Sequence, residues 1–306
     1  MTQPLVHIII LNWNGLDDTS ELLVSLSKIS YSNYTIVIVD NNSTNDEAEK
    51  LENISKSKAH ILRSEENLGF AGGNNVGIKY SLKRRADYIL LLNNDTTVQP
   101  DFLEILVSKY EGEKQAGIVA PRINYYDEPQ KIWTDGGKIS RIRGSGFAYS
   151  NKFEKEVDSS DKSVTFVSGC CMLIKREVLL SVGLFDENYF LYIEDTDLCL
   201  RTIRAGYKIY VVPKTKIFHK VNSSTKKNYS SIPLYYATRN RLYFSKKNFK
   251  YSYYLTVAYL LLSMLIKSAG WLMIGRIEYI TSVYSAFKDF FAGNIGKMNH
   301  KRFEKA

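Results

Sequence analysis

The chain has 306 residues, of which 44% are hydrophobic and 24% charged, with 18 glycines and 6 prolines. This composition excludes disordered, collagen-like and disulfide-stapled proteins, and it is sufficient for one large domain with a tail. The net charge of +9 combines −8 over residues 1–200 with +17 over residues 201–306, so a weakly acidic body precedes a strongly basic C-terminal third.

Short apolar runs alternate with amphipathic stretches through the first half of the chain. The runs predict strands that are buried on both faces, at residues 5–11, 34–39, 60–62, 88–92 and 117–120. The stretches predict helices at residues 20–29, 46–54, 75–82 and 101–110. Because strands and helices alternate with short links, the sequence predicts an α/β fold around a mainly parallel central sheet.

The periodicity is lost over residues 121–165, which predict a long loop or a small layer of hairpins. A strand at 165–174, a helix at 194–205 and a strand at 208–212 are predicted to follow. The three cysteines have no metal-binding spacing, and the N-terminal apolar run lacks the flanks of a signal peptide. We therefore expect free thiols and a cytoplasmic location.

Polar and acidic residues follow the second and the fourth predicted strand, as Asp40-Asn41-Asn42-Ser43 and as Asn93-Asn94-Asp95. Parallel sheets bind ligands beyond the carboxyl ends of their strands, and carboxylate oxygens suit Mg²⁺ or Mn²⁺. Asp and Asn are also common where a strand turns, and for either cluster alone the two interpretations are equally good. The two clusters together favour a site for a nucleotide and a divalent cation.

A glycine-rich segment opens the third predicted helix, with the sequence Asn67-Leu68-Gly69-Phe70-Ala71-Gly72-Gly73-Asn74-Asn75. Its backbone N–H groups could approach phosphates, or the glycines could make only a tight connection. The segment matches neither the P-loop, which continues with Gly-Lys-Ser/Thr, nor the dinucleotide fingerprint, which follows the first strand.

Three carboxylates, Glu194, Asp195 and Asp197, lie at the predicted start of a helix, where the helix dipole favours negative charge. Asp197 and Arg201 have the i,i+4 spacing of a salt bridge, which gives that pair a structural role. Asp195 has no such partner and lies beside Glu194, so it is a candidate general base. His219, after a short loop in a basic stretch, is either a structural histidine or, near a carboxylate–metal site, a metal ligand.

The order and spacing of these segments over residues 5–220 resemble the family 2 inverting glycosyltransferases with the GT-A fold. The matching pieces are residues 8–14, 39–43, 67–75, 91–95 and 169–173, followed by Phe185-Asp186 and Glu194-Asp195. Within that family, the chain looks most like bacterial rhamnosyltransferases of cell-surface polysaccharide synthesis.

The resemblance implies a role for each matching position. Asp195 would be the catalytic base with Glu194 beside it, and Asp95 would bind Mg²⁺ or Mn²⁺ together with His219. Asn93 occupies the first position of the family's Asp-x-Asp element, where it adds no negative charge to the metal site. The nucleotide-sugar donor would be held by Asn12, Asn14, Asp40, Asn42, Asn67, Gly69, Asn74, Asn93 and Asn94.

The implied reaction is the metal-dependent transfer of one sugar, with inversion, from a nucleotide-diphosphate sugar to a hydroxyl of a glycan or lipid-diphosphate-linked acceptor. dTDP-rhamnose is the expected donor, and a UDP-sugar is the alternative. Processive relatives carry Gln-x-x-Arg-Trp after the acidic motif, where this chain has Arg239-Asn240-Arg241-Leu242-Tyr243-Phe244, so we expect one or very few sugars per encounter. The other classes considered are a nucleotidyltransferase and a non-enzymatic membrane-surface scaffold; the chain has no nucleic-acid recognition module.

We expect a catalytic domain at residues 1–225 and a helical, basic, partly apolar extension at residues 226–306. Residues 201–250 carry 13 Lys and Arg and no Asp or Glu, and residues 253–266 form an uncharged run that is short for a membrane span. Membrane-surface contact, on the cytoplasmic face of the cell membrane, is one expectation for this run. Internal packing or a homodimer interface is an equally good alternative, and a span is the weakest.

Overall fold

A computed structural model describes residues 3–55, 59–221 and 231–298. The strands in these ranges are β1 (Val6–Asn12), β2 (Tyr34–Asp40), β3 (Ala59–Arg63), β4 (Tyr88–Leu92), β5 (Thr96–Val98), β6 (Ala116–Tyr125), β7 (Ile132–Thr134), β8 (Gly137–Ser140), β9 (Ser145–Ala148), β10 (Lys162–Val164), β11 (Cys171–Lys175) and β12 (Lys208–His219). The helices are α1 (Leu16–Leu26), α2 (Glu47–Ser55), α3 (Gly69–Lys83), α4 (Phe102–Gly112), α5 (Arg176–Val182), α6 (Glu194–Arg204), α7 (Ile232–Asn248), α8 (Tyr253–Met273) and α9 (Ile277–Phe291).

The central sheet has the strand order β10-β12-β6-β11-β4-β1-β2-β3, with β5 added to β12 and β7 to β6. β1 is parallel to β2 and β4, β2 is parallel to β3, and β6 is parallel to β12. β11 lies antiparallel between β4 and β6. The predicted α/β fold with a mainly parallel sheet is confirmed, and the antiparallel strands are confined to the half of the sheet that begins at β11.

Helices cover both faces of the sheet, which explains why its strands are apolar on both sides. Ile8 and Ile10 of β1 face a core shared with α1, α2 and α4. Ile9, between them, faces a second core shared with α3, α5 and α6. The parallel register pairs Asn12 with Asp40, so the polar residues that end these two strands lie side by side at one edge.

The predicted bounds of β12 and of α3 are wrong in ways that affect the site. β12 continues past Val212 through a register shift and ends at His219, so this histidine lies in the strand and not after a loop. The interruption Pro213-Lys214-Thr215-Lys216 looks like a loop in sequence because a bulge breaks the apolar run.

The glycine-rich segment is helical, since α3 begins at Gly69. Glycine weakens a helix, but a larger residue would not fit here. A Cβ added to Gly77 would lie 2.6 Å from Ile9 Cγ2, and one added to Gly73 would overlap Leu11 Cδ1. The close approach of α3 to β1 and β2 therefore outweighs helix propensity.

The predicted layer of hairpins is present between residues 121 and 165. β7 pairs with β6, β10 pairs with β12, and β8 and β9 form a hairpin of their own. The strand predicted at 165–174 is shorter and spans only Cys171–Lys175.

The C-terminal helices form a small bundle. α7, α8 and α9 share an apolar cluster, to which α8 contributes the buried Leu260 and several partly buried side chains. Thr256 and Leu260 are the only buried residues of α8. Among the described residues, α8 is the one helix that is long and apolar enough to cross a membrane by length and composition. The expected boundary between residues 225 and 226 lies outside the described residues.

Candidate active site

A network of hydrogen bonds joins the carboxyl ends of β1 and β2. The side-chain amide of Asn12 donates to Asp40 Oδ1 (3.3 Å), Ser43 Oγ (3.1 Å) and Glu47 Oε2 (2.9 Å). Asn12 and Asp40 are both buried. Glu47, which carries no motif signal in the sequence, also accepts from the N–H of Gly15 (3.0 Å) and so fixes the loop after β1.

Asn94 connects this network to β4. Its amide donates to Thr19 Oγ1 (3.1 Å), and the Thr19 hydroxyl donates to Asn12 Oδ1 (2.6 Å). Asn14 and Asn42 have φ angles of 50° and 64°, a left-handed conformation that asparagine adopts more readily than most residues. The structure thus brings the strand-end residues predicted from the sequence to one edge of the sheet.

His219 and Asp95 meet at this edge. His219 ends β12 opposite Thr96 of β5, and its Nε2 lies 3.1 Å from Asp95 Oδ1. The indole of Trp133 packs edge-on against the imidazole, with ring centroids 4.5 Å apart. The side chains of His219 and Asp95 are only 9% and 11% exposed. The strand extension to His219 is therefore what places an imidazole beside the carboxylate.

This donor set fits a hard divalent cation. A carboxylate oxygen and an imidazole nitrogen converge, and His219 Nδ1 is buried with no hydrogen-bond partner among the described residues. No third His, Cys, Asp or Glu completes a metal cluster within the described part of the chain. Mg²⁺ is commonly held by one or two protein ligands and the phosphates of a substrate, so two ligands are sufficient.

The dipeptide Gly169-Cys170 links this corner to the acidic motif. The carbonyl of Cys170 accepts from the N–H of Asn93 (2.9 Å), and the N–H of Gly169 donates to Asp195 Oδ2 (3.1 Å). Burial raises the pKa of the Cys170 thiol, and the nearby charge of Asp95 raises it further. Asp95 and Asp195 therefore lie on either side of one short segment.

Glu194 and Asp195 are adjacent but differ in exposure and in hydrogen bonding. Asp195 is partly exposed, and its Oδ1 accepts from the N–H of Thr196 (2.6 Å). Glu194 is 4% exposed, and its Oε2 has no hydrogen-bond partner among the described residues. Burial and then the charge of Asp195 raise the pKa of Glu194 well above its usual range. Burial also raises the pKa of Asp195, and hydrogen bonds from Gly169 and Thr196 counteract this rise.

Asp197 is fully buried and surrounded by cations and donors. Arg201 Nε donates to its Oδ2 at 2.7 Å, which is the predicted i,i+4 salt bridge. Lys247 Nζ and the amide of Asn248, both from α7, each lie 3.1 Å from its Oδ1, and the Tyr189 hydroxyl donates to the same oxygen. Asp197 thus anchors α7 to α6 and has no exposed surface to offer a substrate.

The segment before the acidic motif has an unusual backbone. Phe190, Tyr192 and Ile193 have φ angles of 62°, 69° and 75°, in the left-handed region that favours glycine. Each such residue costs about 1–3 kcal/mol, and strain of this kind concentrates at functional sites. The surrounding structure must therefore hold this segment in place.

Asn240 of α7 holds the strained segment. Its amide donates to the carbonyls of Tyr189, Leu191 and Tyr192 at distances of 2.8, 2.8 and 2.9 Å. The buried guanidinium of Arg239 donates to Asn240 Oδ1 (3.0 Å), which fixes the orientation of the amide. The sequence drew attention to this stretch only because it lacks Gln-x-x-Arg-Trp. The sequence signal that could have identified these residues is the pair Arg239-Asn240, which is polar but lies in a helix rich in aromatic side chains.

The first N–H groups of α3 are bonded within the protein. The N–H of Gly69 donates to Asn67 Oδ1 (2.8 Å), and the N–H of Phe70 donates to the carbonyl of Phe190 (2.7 Å). The amide of Asn74 donates to the carbonyl of Phe70 (2.9 Å). These hydrogen bonds join the glycine-rich segment to the strained segment. They agree with the second interpretation of the glycines, that they allow a tight connection between chain segments. Donor contact at Asn67, Gly69 and Asn74 stays a prediction.

The arrangement supplies three chemical functions at one edge of an α/β sheet. A buried amide–carboxylate network lies where nucleotides bind to such sheets, a carboxylate and an imidazole can share a cation, and the carboxylate of Asp195 is partly exposed. Together with the sheet topology, this defines a glycosyltransferase with the GT-A fold.

Comparison with known proteins assigns the family. The chain belongs to glycosyl transferase family 2, whose family model matches residues 7–183. It is similar to the dTDP-rhamnosyl transferase RfbF of Shigella flexneri, with 26% identity over 250 residues that cover 79% of this chain and 80% of the relative. It is also similar to the low-salt glycan biosynthesis hexosyltransferase Agl10 of Haloferax volcanii, with 29% identity over 283 residues that cover 90% and 87%.

The fold has a solved counterpart. The mannosyltransferase PcManGT of Pyrobaculum calidifontis, in complex with GDP-Man and Mn²⁺, aligns with a TM-score of 0.60 at 13% identity, covering 95% of this chain and 88% of that one. Membership of glycosyl transferase family 2 makes the protein a glycosyltransferase, and thus an enzyme and not a scaffold or a nucleotidyltransferase.

Proposed function

We propose that the enzyme transfers a single sugar, with inversion, from a nucleotide-diphosphate sugar to an acceptor hydroxyl in a reaction that depends on Mg²⁺ or Mn²⁺. The position of Asp195 carries this proposal. Its carboxylate is partly exposed, its charge is held by the N–H groups of Gly169 and Thr196, and it flanks the segment that contacts the Asp95–His219 corner.

Asp195 is the proposed general base. As the acceptor hydroxyl attacks the anomeric carbon, Asp195 takes its proton, and a general base of this kind typically contributes about 10²–10⁴-fold. Attack from the face opposite the leaving diphosphate inverts the configuration. Glu194, protonated beside it, keeps a second negative charge away from the acceptor.

The donor side is assigned to the strand ends. Asp95 and His219 would hold the cation, which supplies charge stabilisation to the leaving diphosphate. Asp40, oriented by Asn12, would contact the nucleoside. The remaining proposed donor contacts are Asn14, Asn42, Asn67, Gly69, Asn74, Asn93 and Asn94.

We propose dTDP-rhamnose as the donor and a cytoplasmic step of cell-envelope polysaccharide synthesis as the setting. The relative named as a dTDP-rhamnosyl transferase supports this donor. The relative named as a hexosyltransferase keeps a UDP-sugar as the alternative. A glycan or lipid-diphosphate-linked acceptor and addition of one sugar complete the proposal, with residues 1–225 as the catalytic domain and residues 226–306 as the extension.

A donor panel tests this assignment. The full-length enzyme would be incubated with dTDP-rhamnose, UDP-hexoses or GDP-mannose, and release of nucleoside diphosphate would be measured with Mg²⁺, with Mn²⁺ and with a chelator. We expect metal-dependent release from dTDP-rhamnose above the other donors. Release that persists undiminished in the chelator would contradict metal dependence, and a preference for a UDP-sugar would select the alternative donor.

A thermal-shift measurement gives a control that does not need turnover. Ligands that bind the native state raise its stability, so dTDP with Mn²⁺ should raise Tm, and Asp40→Asn should reduce the shift. The matched control is Asp46→Asn, a substitution in the exposed turn before α2. An equal shift in both variants would contradict the role of Asp40.

A further inference from the structure

The exposed face of α8 forms a continuous apolar stripe. Its exposed side chains recur at helical spacing along the whole helix: Tyr254, Leu255, Ala258, Leu261, Leu262, Leu265, Ile266, Ala269, Leu272 and Met273. Leu265 is 71% exposed and Met273 82%, while the opposite face buries Thr256 and Leu260. At about 1.5 Å per residue the stripe is about 28 Å long. Soluble proteins rarely expose an apolar patch of this extent unless it binds something.

An arginine cluster contacts the N-terminal half of α8. It comprises Arg141 and Arg143 at the tip of the β8–β9 hairpin, Arg204 at the end of α6 and Arg241 in α7. Arg241 Nε donates to the carbonyl of Arg143 (2.6 Å), and the guanidinium carbons of Arg141 and Arg204 lie 5.4 and 5.7 Å from the ring centre of Phe249. Within the described ranges, none of the four forms an ion pair with a carboxylate.

The β8–β9 hairpin connects this cluster to α8 and to the acidic motif. At its tip, the Thr256 hydroxyl donates to the carbonyl of Arg141 (2.8 Å). In β9, close to the tip, the N–H of Gly146 donates to Thr196 Oγ1 (3.1 Å), next to the proposed general base. Ile142, between the two arginines of the tip, is 52% exposed. The hairpin tip therefore places an exposed apolar side chain and two exposed cations beside the N-terminal half of α8.

We propose that the stripe of α8 and the arginine cluster form one docking surface for an anionic lipid bilayer, with the arginines on the lipid phosphates. The inference goes beyond sugar transfer and does not depend on the donor. Residues 198–277 contain no Asp or Glu, so the surface is complementary to an anionic headgroup layer. Tyr254 and Trp271 of α8 suit the depth of the headgroups, where amphipathic rings are enriched.

A second copy of the chain, in a symmetric dimer, is the alternative partner for the stripe. In a symmetric dimer the same patch meets itself, so the four arginines would face further cations and no carboxylate. Lipid phosphates provide the counter-charge that the described part of the protein does not. Charge complementarity thus favours the bilayer over a dimer.

α8 lies in the plane of this interface because both of its ends return to the body of the protein. α7 ends only five residues before α8 begins, and α9 follows after Gly275 and packs on α7. A spanning helix would place its two ends on opposite sides of a hydrocarbon layer about 30 Å thick, and α9 would lose its packing against α7. An amphipathic helix that lies on the surface keeps both contacts.

Vesicle flotation without donor or acceptor tests the proposal. Full-length protein would be floated with vesicles of phosphatidylcholine alone or mixed with phosphatidylglycerol. Two double variants probe the surface: Arg141→Gln with Arg143→Gln, and Leu261→Ser with Leu265→Ser. Their matched controls alter exposed residues elsewhere: Lys28→Gln with Lys83→Gln, and Val24→Ser with Leu180→Ser.

We expect flotation with the anionic vesicles, about thirtyfold weaker binding after loss of the two arginines and no flotation after loss of the two leucines. Both controls should bind like the unaltered protein, and high salt should weaken binding. The proposal is overturned if the unaltered protein does not float, or if the variants float like their controls. It is equally overturned if the leucine pair converts a dimer to a monomer, measured by light scattering, without changing flotation. Donor hydrolysis, measured separately, keeps a failure of docking distinct from a failure of the proposed transferase reaction.

Discussion

The catalytic edge of the sheet and helix α8 are both exposed, but they present different kinds of surface. At the sheet edge, the polar side chains of Asn12, Thr19 and Asn94 are bonded to one another, and several polar side chains around them are accessible. On α8, a long row of apolar side chains has no partner in the described part of the chain. The first surface suits recognition by a few oriented groups, and the second suits an extended, less specific contact.

Helix α7 lies between these regions and belongs with the first. By sequence it falls in the basic extension, yet its Asn240, Lys247 and Asn248 are bonded to the strained segment and to Asp197. α7 therefore contacts the catalytic region directly, whereas α8 carries the surface for which we propose docking. The domain boundary at residue 225 stays a prediction.

Replacement of the proposed base is the strongest test of the catalytic region. Asp195→Asn should lower kcat by about 10²–10⁴-fold, because the amide cannot take the proton of the acceptor. Since burial raises the pKa of Asp195 in the folded state, its ionised form opposes folding at neutral pH. The variant should therefore keep or slightly raise Tm and still bind dTDP. Turnover near that of the unaltered enzyme would contradict the assignment.

Asn240→Ala tests whether α7 acts on the catalytic region. Loss of the amide releases three carbonyls of the strained segment, which should displace Asp195 and lower kcat on the order of 100-fold with little change in the KM for the donor. Ser245→Ala, which removes a buried hydrogen bond to Thr256 from the same helix, is the matched control. It should lower Tm but leave kcat unchanged. If both variants lost kcat equally, Asn240 would have no positioning role beyond stability.

Asp197→Asn separates an anchoring carboxylate from a catalytic one two residues away. The variant leaves Arg201 without its buried counter-charge and leaves Lys247 with Asp186 alone, which should destabilise the fold by about 3–5 kcal/mol in denaturant titration. The folded fraction should retain most of its kcat, in contrast to Asp195→Asn. A variant with full stability and no activity would transfer the catalytic role to Asp197.

The sequence predicted the features that depend on local interactions and missed those that depend on contacts between distant parts of the chain. Apolar periodicity predicted the buried strands and most helices, because that signal is local. Motif spacing predicted that Asp40 and Asp95 lie at the carboxyl ends of β2 and β4, which flank β1 in the sheet. The bulge that carries β12 on to His219 and the helical glycines of α3 depend on packing against distant strands. Asn240 was missed for the same reason, since its partners lie about 50 residues earlier in the chain.

The pH dependence provides a finer test of the catalytic region, through the pair Glu194 and Asp195. The base must be ionised, so kcat/KM should fall as the pH decreases through a pKa that burial has raised above the usual aspartate value of 3.8. Burial and the charge of Asp195 raise the pKa of Glu194, and we propose that Glu194 keeps its proton while Asp195 ionises. Glu194→Gln should then leave this acid limb almost unchanged. If Glu194 were instead ionised in the active enzyme, removing its charge would lower the pKa of Asp195, and the acid limb of kcat/KM would move to lower pH. A pH profile of both proteins on the same donor distinguishes these two states of the pair.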